Sequence, residues 1–315
     1  MHVSCPYCNA QADFLLYAQD ENRHSTSETF TYYRCPSCGL IFLYPLPADL
    51  SKYYVGDYHA QPATHSERAL HERLEAIKLA YVQRYARGNS LLEIGPSYGA
   101  FLRLAVQAGF KATAIELDAD CVAALNAAGI PAIQSAEPAQ ALKALGQYDV
   151  IGMWHVIEHL PAAWDVLSEA AQHLASNGVL IVAAPNPQAL TFQLFKARWS
   201  YLDAPRHVYL LPMRLVERVA RQSGLVPIAR SANNAEARWH NFAAWRSSLI
   251  NLIGKKRVQA ALSLPQRADQ ARSRSSRLRA RVFRLGLRAL TLAAAPLELT
   301  GARGSAYTLI FRKPA

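Results

Sequence analysis

Short apolar runs alternate with amphipathic segments through the middle of the chain. The runs are long enough for buried strands, and the segments between them have helical spacing. Strands that alternate with helices form a mostly parallel sheet covered on both faces, so we predict an α/β fold. The predicted strands are 91–94, 112–116, 148–154, 179–184, 225–230 and, at the end, 307–311; the predicted helices are 66–87, 100–108, 119–127, 164–175 and 212–223.

Two pairs of cysteines distinguish the N-terminal region from this pattern. A two-residue gap lets both sulfurs of a pair face one ion, and two such pairs supply the four thiolates of a closed, structural zinc site. We therefore predict a zinc ribbon over residues 1–45, with a hairpin near residues 30–33 between the pairs. The fifth cysteine, Cys121, lies in an apolar helical stretch and is predicted to be a core residue. The predicted zinc ligands are Cys5, Cys8, Cys35 and Cys38.

Neither a secretory signal nor a membrane span is recognisable in the sequence. The N-terminal residues have no basic region followed by an apolar run. The longest stretch without charged residues, 170–195, is interrupted by Asn177, Gly178 and Pro185, which indicates a helix, a turn and a strand. We expect a cytoplasmic protein, since that compartment keeps thiols reduced.

A glycine-containing turn follows the first predicted strand. Gly95 and Gly99 lie in the sequence EIGPSYG, where backbone N–H groups at a helix N-terminus can approach a ligand. Glu116 ends the second predicted strand, 21 residues after Gly95, a spacing that suits a carboxylate accepting hydrogen bonds from ribose hydroxyls. Because Ser97 stands where a dinucleotide site has its middle glycine, the turn offers little to hold a pyrophosphate.

Four segments in order carry a family resemblance: LLEIGPSYGAFL, AIELDAD, YDVIGMWHVIEHLPAAW and LASNGVLIVAAPNP. Together they resemble the class I S-adenosylmethionine-dependent methyltransferases over about residues 66–231, and the last strand completes the domain. The resemblance implies a Rossmann-like, seven-stranded, doubly wound sheet with an antiparallel last strand. It also implies S-adenosylmethionine as the methyl donor.

The same resemblance implies which residues contact the cofactor. Glu93 would hold the methionine end of the donor, Gly95 and Gly99 would form the backbone cradle, and Glu116 would bind the ribose. Ser97 stands in that cradle where the family often has glycine. The remaining predicted contacts are Glu137, in the segment 135–137 beside the adenine, and Met153, Trp154 and His155, which flank the cofactor.

Polar residues after the fourth and fifth predicted strands form the candidate acceptor site. A base can remove the acceptor proton, although positioning alone can also carry methyl transfer. The H-x-x-E-H string that begins at His155 matches some zinc peptidases, but Pro161 leaves barely one helical turn, so we set that alternative aside. His207, in the aromatic loop 199–209, is predicted to act as a base or to cap the helix near Pro212. The candidate residues for acceptor chemistry are His155, Glu158, His159 and His207.

The positive charge of the chain is concentrated near its end. The net charge is +11, yet residues 250–315 contain fourteen Lys and Arg against two acids, while residues 1–249 contain 20 against 21. Helical spacing of the arginines predicts a basic amphipathic helix at 272–292. Three roles remain open: a solvated helix packed on the domain, contact with an anionic membrane, and a phosphate-bearing partner, with nucleic acid less favoured. The stripe is Arg274, Arg277, Arg281, Arg284 and Arg288, and the other face is Phe283, Leu287, Leu290 and Ala294.

These patterns predict both a domain organisation and a function. A four-cysteine ribbon before this domain resembles bacterial enzymes of saccharide and secondary metabolism, which implies O- or C-methylation of a sugar, a cell-surface glycan precursor or another small metabolite. Two alternatives stay open: an RNA methyltransferase that binds RNA through ribbon and basic helix, and a non-catalytic binding protein with the same fold. The predicted parts are the ribbon at 1–45, a linker and helix at 46–89, the methyltransferase core at 90–231, the basic helical insertion at 232–305 and the last strand at 306–315.

Overall fold

A computed structural model describes residues 3–54, 65–254, 258, 274–299 and 302–315 of the chain. The N-terminal part contains four strands: β1 (Val3–Ser4), β2 (Gln11–Ala18), β3 (Phe30–Arg34) and β4 (Ile41–Leu43). Strands and helices then alternate along the other described residues in this order: α1 (His65–Tyr85), β5 (Ser90–Ile94), α2 (Ala100–Gln107), β6 (Lys111–Glu116), α3 (Ala119–Ala127), β7 (Ala132–Gln134), α4 (Pro138–Leu142), β8 (Tyr148–Trp154), α5 (Ala163–Gln172), β9 (Leu174–Pro185), α6 (Leu190–Phe195), β10 (Tyr209–Leu210), α7 (Met213–Gln222), β11 (Val226–Ser231), α8 (Ala235–Ile253), α9 (Arg274–Ala294) and β12 (Ala306–Arg312).

The central sheet has seven strands in the order β11-β12-β9-β8-β5-β6-β7. Strands β5 to β9 pair in parallel, and β12 runs antiparallel to both of its neighbours, β9 and β11. The inner strands are apolar on both faces because helices cover both, as the sequence pattern requires. The predicted seven-stranded sheet with an antiparallel last strand is confirmed.

Two elements show how the structure departs from the sequence pattern. The predicted helix 164–175 ends at Gln172, because β9 already begins at Leu174. The register of β9 against β8 shifts before Val179, which accommodates the Asn177-Gly178 segment within the strand. The pattern does not predict α8, whose apolar residues are spread around the helix because it contacts several parts of the molecule. Trp245 of α8 is buried beside Phe195, with ring centroids 5.4 Å apart.

A second sheet, β1-β2-β3-β4-β10, joins the N-terminal ribbon to the rest of the protein. Its last strand, β10, comes from the predicted methyltransferase core and pairs antiparallel with β4. The Leu43 N–H also donates to the Val208 carbonyl at 2.9 Å, and the buried Tyr32 hydroxyl donates to the His207 carbonyl at 2.8 Å. The ribbon sheet therefore extends beyond the predicted boundary at residue 45.

The predicted basic helix is present as α9, with its two faces arranged differently from the prediction. Thr291 and Ala294 are buried against the rest of the protein. The side chain of Leu290 is 53 % exposed, because it lies to one side of the helix face that contains these two residues. The side chains of Arg274, Arg277 and Arg284 lie outside the described residues, as do linker residues 55–58. None of the helices in the described ranges has both the length and the apolar character of a membrane span.

Candidate active site

A cavity of about 1400 Å³ opens where β5, β6 and β8 end at one edge of the central sheet. This is larger than the roughly 300–1,000 Å³ of a typical small-molecule pocket, so it has room for two ligands. We call two parts of its wall the cofactor half and the acceptor half. The cofactor half contains Glu93, Gly95, Ser97, Glu116 and Trp154, and the acceptor half contains Asn22, Tyr54, His155, Glu158, His159, Tyr201, His207, His240 and Asn251.

The turn after β5 leaves no space for a side chain at Gly95. Gly95 has φ +71°, and a Cβ built there would lie 2.5 Å from Cγ2 of Val156. Ser97 also has a positive φ, +52°, and its N–H donates to Oε2 of Glu116 at 2.8 Å. The turn thus brings exposed backbone against the carboxylate that ends the next strand.

The carboxylate of Glu116 is held by three backbone donors. Besides Ser97, the N–H groups of Leu117 and Asp118 donate to Oε1 at 2.7 and 3.1 Å. Glu116 is buried and lines the cavity. Because these bonds fix its position, the carboxylate can present acceptor lone pairs to hydroxyl groups of a ligand.

Glu93, at the end of β5, is buried and electrostatically unusual. Its Oε2 has no hydrogen-bond partner in the parts of the chain that the structure describes. Burial raises the pKa of Glu93 to about 8, with Glu75 and Glu116 also raising it and Lys78 opposing. A cation bound beside this carboxyl would compensate its ionised form.

Three predicted cofactor contacts are not on the cavity wall. A Cβ at Gly99 would lie 2.2 Å from Cδ2 of Leu125, so the absence of a side chain there serves the packing of α2 against α3. Glu137 is exposed, although Ser135 of the same segment reaches the wall. Met153 is fully buried in the core, because side chains alternate along β8 and it is Trp154 that reaches the cavity.

The four predicted acceptor residues do come together. Glu158 and His159 lie in the single 3-10 turn Ile157–His159, so the short helix expected before Pro161 is confirmed. Oε1 of Glu158 lies 3.6 Å from Nδ1 of His155 and 3.9 Å from Nε2 of His207. Neither carboxylate oxygen of Glu158 has a hydrogen-bond partner among the described residues, and burial raises its pKa.

The histidines of this cluster are weak bases. Burial, with Lys78 and His207 nearby, lowers the pKa of His155 to about 3. Burial and His207 lower the pKa of His159 to about 4. Both rings are therefore neutral at pH 7, and their low basicity argues against either acting as an efficient general base.

His207 is oriented by a backbone carbonyl and does not cap the following helix. Its Nδ1 lies 2.8 Å from the Tyr201 carbonyl, whereas α7 begins after Pro212 without a side-chain cap. The capping interpretation of His207 is therefore wrong. Its ring packs edge-on against that of His159, with centroids 4.5 Å apart.

Five further residues of the acceptor half were not predicted: Asn22, Tyr54, Tyr201, His240 and Asn251. His240, on α8, stacks on His155 with centroids 4.2 Å apart, and its Nδ1 lies 2.6 Å from the Tyr201 hydroxyl. The Tyr54 hydroxyl lies 2.9 Å from Nδ1 of His159. The sequence YYVGDY at 53–58 of the predicted linker is a visible signal for Tyr54. His240 had no such signal, because the pattern does not reveal α8.

A buried arginine connects the acceptor half to the ribbon. Arg206 donates to both carboxylate oxygens of Asp20, at 2.7 and 3.1 Å, to both of Asp203, at 2.8 and 2.9 Å, and to the Tyr53 carbonyl at 3.2 Å. All five guanidinium donors are thereby used. Burial alone would raise the pKa of Asp203, but the hydrogen bonds from Arg206 lower it.

The four ribbon cysteines also come together. The Sγ atoms of Cys5 and Cys38 are 3.6 Å apart and those of Cys8 and Cys35 are 3.5 Å apart, and all four lie within 4.8 Å of one another. A tetrahedral zinc with Zn–S bonds of about 2.3 Å would place its sulfurs roughly 3.8 Å apart. The cluster is consistent with a zinc ribbon. Cys121, as predicted, is a buried core residue.

The sequence matches the model of a protein family described as "Methyltransferase domain" over residues 66–229. The chain belongs to this methyltransferase family. The matched segment contains the strands and turns that form the cofactor half and the Ile157–His159 turn, so membership agrees with the site.

Two solved structures are similar to this methyltransferase. Phospholethanolamine N-methyltransferase 2 of Haemonchus contortus, solved with phosphomonomethylethanolamine and S-adenosylhomocysteine, is 14 % identical with a TM-score of 0.50, covering 100 % of this chain and 71 % of that one. A SAM-dependent methyltransferase from Archaeoglobus fulgidus is 16 % identical with a TM-score of 0.49, covering 77 % and 94 %.

One curated relative matches a short segment. Ribosomal RNA small subunit methyltransferase A of Novosphingobium aromaticivorans is 35 % identical over 86 residues, which is 27 % of this chain. The match spans about a third of that relative's length, 32 %.

Proposed function

We propose that the protein transfers a methyl group from S-adenosylmethionine to a sugar, a glycan precursor or another small polar metabolite. The observation that carries this proposal is a large cavity with two chemically different halves. One half presents two buried carboxyls and bare backbone at strand ends, and the other presents histidine, amide and hydroxyl groups. Room for two ligands on one wall suits the direct transfer of a group between them.

The cofactor half fits S-adenosylmethionine residue by residue. Glu93 would face the ammonium group of the methionine end, because its buried oxygen needs a compensating cation. The bare turn at Gly95 and Ser97 would let the donor approach the backbone, and Glu116 would accept hydrogen bonds from the ribose. When bound, the donor supplies an electrophilic methyl group on a positively charged sulfur.

The acceptor half fits a polar acceptor. Asn22, Tyr54 and Asn251 line it together with the histidine cluster, so several polar side chains face one space. Such a lining suits a hydroxylated compound better than an aromatic or an acyl chain, because the two carboxylate oxygens of Glu158, which have no hydrogen-bond partner among the described residues, would stay unsatisfied against an apolar ligand. This supports the proposal of a saccharide-like acceptor.

A zinc ion in the ribbon would have a structural role. Four thiolates complete its coordination, which leaves no position for a substrate. Metal analysis is expected to find about one zinc per chain, and the Cys35→Ser variant is expected to lose it. Full zinc retention by that variant would contradict the ribbon assignment.

Helix α9 is a candidate for contact with an anionic membrane. Its outward face combines the exposed arginines Arg281 and Arg288 with Val282, Leu285 and Leu292, which are 54–60 % exposed. A helix face that exposes both basic and apolar side chains suits a lipid interface more than RNA, since apolar side chains make no favourable interaction with the RNA phosphates. Flotation with phosphatidylglycerol vesicles tests this: Arg281→Glu combined with Leu285→Glu is expected to abolish binding, and failure of the unaltered protein to float would contradict it.

Transfer of labelled methyl groups tests the proposed function. The purified protein and methyl-labelled S-adenosylmethionine are incubated with cell extract, which is then separated into small polar compounds, lipids and RNA. We expect label in the polar fraction, or in a lipid-linked saccharide, and none with the Glu116→Ala variant. Label in RNA would favour the RNA methyltransferase alternative, and binding of the donor without transfer to any fraction would favour a non-catalytic binding protein.

A further inference from the structure

We propose that Glu158, His159 and His207 bind a divalent metal ion of the Mn²⁺ type, which holds a hydroxyl group of the acceptor; this deepens the proposed function and rests on it. One ligand atom of each residue lies within 4.8 Å of the other two. All three residues line the cavity, on the acceptor half. The site is separate from the ribbon cysteines and would have a different, catalytic role.

The backbone brings the three residues to one place. Glu158 and His159 are neighbours in the turn after β8, and His207 arrives from the loop before β10. The Val208 N–H donates to the Glu158 carbonyl at 2.9 Å, which ties the two segments together directly beside the side chains concerned. The buried Arg206 anchors the same loop through its hydrogen bonds to Asp20 and Asp203.

Backbone carbonyls determine which nitrogen of each histidine would bind the ion. Nδ1 of His159 lies 3.0 Å from the Arg206 carbonyl, and Nδ1 of His207 lies 2.8 Å from the Tyr201 carbonyl. A carbonyl can only accept, so each Nδ1 donates to its carbonyl, and the uncharged form of such a ring has its lone pair on Nε2. Metal-binding histidines characteristically have this outer hydrogen bond, which sets the tautomer and the ring orientation.

The carboxylate of Glu158 completes the donor set. Its side chain is 0 % exposed, and neither oxygen accepts a hydrogen bond from any described residue. A buried carboxyl without partners is costly, and a cation in front of it would remove that cost. No Lys or Arg occupies this position in the described structure, where the closest charged or titratable contacts of Glu158 are His155 and His207.

The ligand types and spacing suit a divalent ion with open positions. Two imidazoles and one carboxylate on the same side of an ion leave the opposite positions for water or substrate oxygens. With metal–ligand bonds of about 2.1 Å, the ligand atoms would be roughly 3.0–3.4 Å apart. Oε1 of Glu158 and Nε2 of His207 are now 3.9 Å apart, and all three ligand atoms lie within 4.8 Å of one another, so movements of up to roughly 2 Å would close the site.

Such an ion would activate an acceptor hydroxyl without a strong protein base. The metal-bound hydroxyl has a lowered pKa and loses its proton to water. An oxygen lone pair then forms the new O–C bond to the methyl group, while the C–S bond breaks and its electron pair stays on sulfur as the neutral thioether. The inference selects O-methylation, and acceptors with neighbouring hydroxyls gain a second contact to the ion.

Titration with Mn²⁺ alone, followed by electron paramagnetic resonance of the free ion, tests the site in zinc-loaded protein. We expect one Mn²⁺ per chain in the unaltered protein and at least about tenfold weaker binding in Glu158→Gln and in His207→Ala. His173→Ala is the matched control, because His173 and Glu169 form another His–Glu contact, at 3.2 Å, away from the cavity. That variant is expected to bind Mn²⁺ normally.

A second measurement needs no variant. In the unaltered protein, Mn²⁺ is expected to broaden the imidazole resonances of His159 and His207 first and to spare those of His173. Absence of Mn²⁺ binding, or binding that survives both site variants, would overturn the inference. Calorimetry with S-adenosylmethionine in the same samples separates the two proposals. A protein that binds the donor but does not bind Mn²⁺ rejects only the metal site. A protein that binds Mn²⁺ but does not bind the donor rejects the proposed function.

Discussion

The two halves of the cavity are built in opposite ways. The cofactor half comes mostly from one continuous segment, 93–116, in which a strand, a turn, a helix and a second strand follow one another. The acceptor half collects Asn22, Tyr54, the Ile157–His159 turn and His240 from parts of the chain far apart in sequence. The first half therefore depends on local backbone geometry, and the second depends on long-range packing and on the ribbon.

Their electrostatics differ as well. Two buried carboxyls, Glu93 and Glu116, suit the cationic donor in the cofactor half. In the acceptor half, burial keeps His155 and His159 neutral beside the single buried carboxyl of Glu158. The cofactor half thus presents two buried carboxyls, whereas the acceptor half presents one buried carboxyl among imidazoles.

The largest expected effect comes from breaking the connection between the acceptor half and the ribbon. Arg206→Met would leave the buried carboxylates of Asp20 and Asp203 without their cation, which costs roughly 3–5 kcal/mol. We expect the free energy of unfolding, measured with denaturant, to fall by that amount. The control is Arg198→Ala, whose half-exposed ion pair with Glu21 spans the same two regions and is expected to contribute about 1 kcal/mol or less. Equal losses in the two variants would contradict the long-range construction.

The next effect tests the local construction of the cofactor half. In Gly95→Ala, the new Cβ would lie 2.5 Å from Val156 on a residue whose φ is positive. The two effects together are expected to lower the free energy of unfolding by about 2–4 kcal/mol and to prevent donor binding. Gly109→Ala is the matched control, because φ is +93° but nothing lies within 4 Å; only backbone strain of about 1–2 kcal/mol is expected. Thermal denaturation and donor titration measure both. Normal donor binding by Gly95→Ala would contradict the assigned turn.

This division also explains what the sequence could predict. The turn at Gly95 and the carboxylate of Glu116 leave signals because strand ends, glycines and spacing are local features. Gly99 and Met153 were assigned to the cofactor by resemblance, although packing against Leu125 and burial in the core decide their surroundings. His240 could not be predicted, since no local pattern says which helix returns to the cavity.

The smallest expected effect is a pH dependence in the cofactor half. The pKa of Glu93 is raised to about 8, so below pH 8 its carboxyl is protonated in the empty site. A bound cation favours the carboxylate, so binding releases a proton and affinity rises with pH, levelling near pH 8. Calorimetry compares the donor affinity of the unaltered protein with that of Glu93→Gln. The ratio of the first affinity to the second is expected to rise by up to about tenfold per pH unit from pH 6 to 8. A constant ratio would mean that Glu93 does not face the cation.

The most direct measurement is calorimetric titration of the unaltered protein, Glu116→Ala and Glu137→Ala with S-adenosylmethionine. Both residues follow sheet strands and both were assigned to the donor by resemblance, but only Glu116 lines the cavity. We predict that the unaltered protein binds one donor molecule per chain and that Glu137→Ala binds it equally well. Glu116→Ala is expected to bind the donor at least about tenfold more weakly, since the lost hydrogen bonds to a charged group contribute roughly 1.5–3 kcal/mol. Absence of donor binding, or equal affinity in the unaltered protein and Glu116→Ala, would contradict the account.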